Sequence, residues 1–180
     1  AKDLAITKKD TSRIIHSLSF IAETEMNLGD YTSCEATAIL ALPYLNKEKY
    51  PYTTWNIYNV LGTCYLYQFD YENALIYHRK ALNLKVDTNS KNNSLNNIAY
   101  VYIEMQNYLK AIQILQPITL KKEFKTQNKK YIFLDNIGYS YFKMGDPKAI
   151  HYLKESLKLR KINNDEWGLI TSYSRLAEYY

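Results

Sequence analysis

Small and apolar residues recur along this chain at helical spacing. Around Gly62, the residues Tyr58, Leu61 and Tyr65 fall on one helical face. Phe69-Asp70 then punctuates the pattern. A second periodic run opens at Tyr71, with Ala74, His78, Ala81 and Leu82 on its inner side. The same arrangement is written four times. Its anchors are Ile21-Ala22, Leu61-Gly62, Ile98-Ala99 and Ile137-Gly138, followed nine residues later by Tyr31, Tyr71, Tyr108 and Pro147. A fifth copy starts at Leu176-Ala177 and reaches Tyr180. The other second runs read Cys34, Ala38, Ala41; then Ala111, Leu115, Ile118; then Ala149, Leu153, Leu157. Small residues at these places let helices approach closely. Repetition at a near-fixed period predicts an all-α chain of helix–turn–helix units.

The punctuation agrees with the period. Gly29 and Gly145 suit the left-handed position that ends a helix. Asp30, Asp70 and Asp146 suit the N-cap of the helix that follows, and Pro147 suits its first turn. Pro43 and Pro117 fall near the ends of second helices and are expected to kink or end them. The fourth copy is one residue short at its turn, because Ala149 follows Gly138 by eleven residues where the other copies show twelve.

These features resemble the tetratricopeptide repeat family, whose pattern is matched in the second unit by Tyr58, Leu61, Gly62, Tyr65, Tyr71, Ala74, Ala81 and Leu82. The family period is about 34 residues; the anchors here are spaced by 40, 37, 39 and 39. In that respect the chain is similar to the long-period arrays of bacterial signalling and transcriptional regulators. The resemblance implies a right-handed α-α superhelix, or solenoid. The expected division of residues 1–180 is a single array: 1–8 the end of a preceding repeat, four repeats at 11–48, 51–87, 88–125 and 127–163, and 165–180 the first helix of another. Leu4 to Ala22 aligns with Leu159 to Ala177 at a constant offset of 155. The chain is accordingly read as a fragment of a longer protein.

In arrays of this family the first helices line the concave face. The resemblance therefore implies groove residues at fixed offsets from each anchor: Asn59, Thr63 and Tyr67 in the second unit, Asn96, Asn97 and Tyr100 in the third, Asp135, Asn136, Tyr139 and Phe142 in the fourth. In the first unit the same offsets give Ser19, Phe20, Glu23, Met26 and Asn27. An asparagine amide donates to and accepts from a peptide backbone at once. Asn59, Asn97 and Asn136 can form a ladder along an extended peptide, as in bacterial peptide-pheromone receptors, while the tyrosines supply flat contact area. The competing reading is that these asparagines are solvated polar residues. A carboxylate clamp needs cations on neighbouring first helices; Lys143 and Arg175 stand isolated at such places.

Composition narrows the function classes. The 180 residues are 47% hydrophobic and 23% charged, with five glycines and four prolines, as expected of a folded helical protein. A net charge of +5, with lysines spread along the chain, gives direct nucleic-acid binding little support. The densest basic stretch, Lys121-Lys122-Glu123-Phe124-Lys125 with Lys129-Lys130, is read as a solvated helix end and loop, with an acidic partner as the alternative. His16, His78 and His151 lack metal-ligand spacing, and His78 sits at a core position. No phosphate loop, zinc motif or nucleophile elbow is present, so an enzyme, a cofactor and a catalytic residue are not expected. No apolar run reaches the ~20 residues of a membrane helix. Cys34 and Cys64 are either small packing residues or partners across two neighbouring helices, and pairing would point to an oxidising compartment such as the periplasm. Localisation otherwise stays open, with the cytoplasm favoured. The expected function is a protein- or peptide-binding scaffold within a larger bacterial regulator. The alternative is a self-association module that forms a homodimer.

Overall fold

A computed structural model describes residues 10–127 and 129–180. The segment 1–8, read above as the end of a preceding repeat, lies outside the described residues. Among these residues the order is α1 (Thr11–Asn27), α2 (Tyr31–Ala41), a 3₁₀ turn (Leu42–Tyr44), α3 (Pro51–Tyr67), α4 (Tyr71–Leu82), α5 (Thr88–Glu104), α6 (Tyr108–Thr119), a 3₁₀ turn (Lys122–Thr126), α7 (Lys130–Lys143), α8 (Ala149–Ile162) and α9 (Glu166–Tyr179). The chain forms two compact units, one ending at Val101 and one beginning at Tyr102.

One local device closes helix after helix. In each of five turns the backbone N–H of the third residue past the helix bonds five residues back, as in Asp30 N to Glu25 O (3.0 Å), Asp70 N to Tyr65 O (2.9 Å) and Asn107 N to Tyr102 O (2.8 Å). Asp146 to Tyr141 and Asp165 to Arg160 repeat it. The residue before each aspartate or asparagine is left-handed: Gly29 (φ 78°), Phe69 (63°), Gln106 (59°), Gly145 (70°) and Asn164 (52°). The Asp or Asn that follows then starts the next helix. Asp30, Asp70, Asn107 and Asp165 accept from Ser33, Asn73, Lys110 and Gly168 N at 3.1–3.2 Å. Asp10 and Asp87 cap α1 and α5 in the same way.

The fourth turn departs from the expected form. Asp146 Oδ1 accepts from Lys148 N at 2.8 Å, but Ala149 N bonds back to Asp146 O, three residues away. This tight first turn absorbs the missing residue, and α8 proper begins at Ala149, two positions after Pro147. Pro43 sits in the 3₁₀ turn that follows α2, whereas Pro117 lies inside the last turn of α6.

The first unit packs α1 to α3 around Leu18, Ala22, Cys34, Ala38, Leu61 and Cys64. A second cluster joins Tyr58, Ala81 and Leu84, and a third joins Leu66, Ala74 and Val101. The small residues are fully buried, which is how helix backbones come this close. In the second unit Ala111, Leu115, Ile137, Ala149 and Leu153 are fully buried, and Phe124 meets Phe133 edge-on at 5.7 Å.

Candidate functional site

The residue three before each of the first four anchors points into the protein. Ser19, Asn59, Asn96 and Asp135 are 6%, 7%, 8% and 2% exposed. A buried polar group must find partners, and Asn59 shows how. Its Nδ2 donates to Trp55 O at 3.0 Å and to Ser94 Oγ at 3.4 Å. Its Oδ1 faces His78 Nδ1 and Asn97 Nδ2, each at 3.1 Å. Trp55 Nε1 donates to the same Ser94 hydroxyl at 2.9 Å. Asn59 is thus a buried hub joining α3, α4 and α5. Burial holds the His78 pKa down, to about 4, so the ring is neutral and its Nδ1–H donates to Asn59.

Asn97, two residues before its own anchor, is half-buried, and its Nδ2 is fixed on that hub. Thr63 is half-buried on α3. Tyr67 is 47% exposed, with its ring stacked flat on Tyr31 at 4.3 Å. Tyr100 packs against the Leu66, Ala74 and Val101 cluster. At the start of the unit, Asn56 Nδ2 ties α3 to α1 through Ser19 Oγ (3.0 Å) and Glu23 Oε2 (3.2 Å).

In the second unit Asp135 Oδ2 meets Arg175 Nη1 at 2.5 Å and Arg160 Nη2 at 3.3 Å. Arg175 also donates to Asp135 O at 3.1 Å, and Arg160 to Gly168 O. Desolvation is the largest influence on the Asp135 carboxyl and raises its pKa; the two guanidiniums pull the other way. Asn136 is buried beside it. Tyr139 is half-buried beneath the Arg175 guanidinium, 4.3 Å from the ring centre. Phe142 lies 5.8 Å from Tyr179. Lys143 bonds Glu178 at 2.5 Å. Lys143 and Arg175 are each committed to a carboxylate inside the unit, Glu178 and Asp135.

Sequence reasoning missed Ser94, Arg160 and the hub role of Asn59. Ser94 and Arg160 fall outside the repeat signature, so periodicity gives them no signal. The basic stretch runs through the second 3₁₀ turn, with Phe124 buried as its anchor. Lys125, Lys129 and Lys130 join Tyr131, Leu159 and Ile162 around an open hollow of about 510 Å³. Cys34 and Cys64 are buried free thiols whose sulfurs face each other, 2.6 Å apart. Among the described residues no cluster of three metal-ligating side chains occurs, and no helix is long and apolar enough to cross a membrane.

Comparison with known proteins follows the same lines. The tetratricopeptide repeat model matches residues 56–86 and 93–116, which span α3 to α6 in large part. The solved structure of the MamA protein superposes with a TM-score of 0.60 at 18% identity, over 91% of this chain and 90% of that one. Among curated proteins none matches the chain. Tetratricopeptide repeats generally mediate protein–protein interaction, and scaffolds built from them are generally non-enzymatic. The chain has an all-α solenoid fold of helix–turn–helix units, with tetratricopeptide-type repeats at 56–86 and 93–116.

Proposed function

We propose that this chain is a non-enzymatic scaffold that binds a protein or peptide partner on its first-helix faces, as the sensor or interaction region of a larger bacterial regulator. The observation that carries this reading is Asn97. One N–H of its amide is spent on Asn59 Oδ1, which fixes the side chain. The second N–H and the carbonyl are left to engage a ligand backbone. Thr63, Tyr67 and Tyr100 supply the neighbouring contacts in the first unit. Tyr139 and Phe142 offer an aromatic surface in the second. Asn59, Asn96, Asp135 and Asn136 support these faces from within. Pre-ordered side chains lose less entropy on binding, which favours affinity for a flexible peptide.

The test is a thermal-shift screen of the purified chain against diverse short peptides. A ligand of the native state at 100-fold its Kd adds about 2.7 kcal/mol of stability. A peptide that raises the melting temperature of the wild type and not of Asn97→Ala is the expected result. A screen in which no peptide shifts the wild type overturns the peptide reading.

Self-association is favoured by a different observation. On α9, Trp167 is 86% exposed and Ile170 64%. Large apolar groups exposed together mark contact surfaces. Sedimentation that shows a strict monomer at high concentration removes this alternative.

A further inference from the structure

We propose that Cys34 and Cys64 form a redox modification site, at which a small-molecule disulfide oxidises the pair to a bond joining α2 to α3. This is independent of the peptide-binding reading. The two sulfurs are 2.6 Å apart, within about 0.6 Å of the ~2.05 Å bond length. They sit on separate helices held by the packing of Ala22, Ala38 and Leu61, so folding brings them together without a flexible loop. The chain has only these two cysteines, so each has one possible intramolecular partner. Among the described residues no third ligand is placed to turn the pair into a metal site.

The chemistry balances with an external disulfide R–S–S–R. A thiolate at Cys34 attacks one sulfur and releases R–S⁻, giving a mixed disulfide at Cys34. Cys64, deprotonated, then attacks Cys34 Sγ and expels the second R–S⁻. The two protons of the thiols end on the two released R–SH. The pair loses two electrons and the oxidant gains them. The two thiols are equally buried, and the same sequence begun at Cys64 gives the same product. Both sulfurs are fully buried. The reagent enters on local opening, and once the bond has closed a reducing thiolate has no direct approach. The product fixes the second helix of one repeat to the first helix of the next, and so locks how those two repeats stack.

The experiment equilibrates the wild-type chain in glutathione buffers from fully reduced to mostly oxidised. Each sample is acid-quenched, alkylated in guanidinium and weighed by mass spectrometry. The expected result is a monomer with no alkylation and two hydrogens fewer. Its melting temperature rises by about 10 °C over the reduced form, from closure of the loop between 34 and 64. Cys34→Ser and Cys64→Ser each abolish the rise. If either variant does not fold, the oxidised and reduced wild type still decide the matter. Two alkylations at every ratio, glutathione adducts without the internal bond, or an oxidised form no more stable than the reduced one overturns the proposal.

Discussion

The imidazole of His78 fills the space where a side chain on Gly62 would begin: a Cβ on Gly62 would lie 2.6 Å from Cε1 and 2.7 Å from both ring nitrogens. The ring is fully buried and held by Asn59 at 3.1 Å, so it has no room to swing away. Ala is the better helix former by about 1 kcal/mol, but overpacking a filled core costs about 1–3 kcal/mol. Gly62→Ala is therefore expected to lower stability by up to about 2 kcal/mol in urea unfolding. In the His78→Ala background the same change should become neutral or stabilising. Equal cost in both backgrounds would show that the contact does not limit the packing.

His78 also gives the fold a pH dependence. Its folded pKa is depressed to about 4 by desolvation, while the unfolded chain titrates near the ordinary 6.5. Between those values the unfolded state binds a proton that the folded state does not. Stability must then fall as the pH drops from about 6.5 to about 4, and this contribution levels off below that. The full difference is about 3 kcal/mol. His16 and His151 are exposed. Urea midpoints measured at pH 7, 5.5 and 4.5 should converge in His78→Gln and diverge in the wild type. A His78→Gln variant with the wild-type slope would place the acid sensitivity elsewhere.

The architecture was legible because it rests on local chemistry that repeats. Asp30, Asp70 and the Gly-Asp pairs announce turns, and Ala22, Ala74, Ala81 and Ala111 announce close helix contacts. The left-handed residues at Phe69 and Gln106 were not legible as such, since neither is a residue that favours this conformation; the backbone bonds of the turn impose it. The site was legible only in part. Asn59 and Asn97 are the same residue type at offsets from their anchors that differ by one. The offset alone does not set burial, since Asn136 shares the offset of Asn97 and is buried, while Asn97 is half-buried. The partners that decide this, Ser94 and His78, come from helices 35 and 19 residues away along the chain. The Asp135 cluster is similar, because Arg160 and Arg175 reach it across 25 and 40 residues.

That cluster makes Asp135 a sensitive polar position of the second unit. Arg160 is buried, and Asp135 is its nearer carboxylate, with Asp165 at 3.7 Å from Nε. Asp135→Ala strands two guanidiniums and is expected to cost about 3–5 kcal/mol. Asp135→Asn keeps an acceptor oxygen and should cost less, while removing the charge. The comparison is made by thermal unfolding of the two variants. Equal, small losses would show that Asp165 and the backbone carbonyls already satisfy Arg160 and Arg175.

Phe69 and Gln106 mark where the chain carries avoidable strain. Both take positive φ in the turn that Gly29 and Gly145 make in their own repeats. A non-glycine residue in this conformation costs roughly 1–2 kcal/mol, whereas the greater freedom of glycine in the unfolded chain costs about 0.4–1 kcal/mol. The first effect outweighs the second at Gln106, whose side chain is exposed. Gln106→Gly is expected to stabilise the protein by about 0.5–1 kcal/mol, read as a rise of roughly 1–4 °C in melting temperature. At Phe69, 75% exposed, the same gain is expected, because little packing is lost. Gly29→Ala and Gly145→Ala run the substitution in reverse. Open space surrounds both positions, so their cost measures backbone strain alone. If the two Gly→Ala variants lose about 1 kcal/mol and Gln106→Gly gains nothing, the Gln106 side chain makes a compensating contact in the turn.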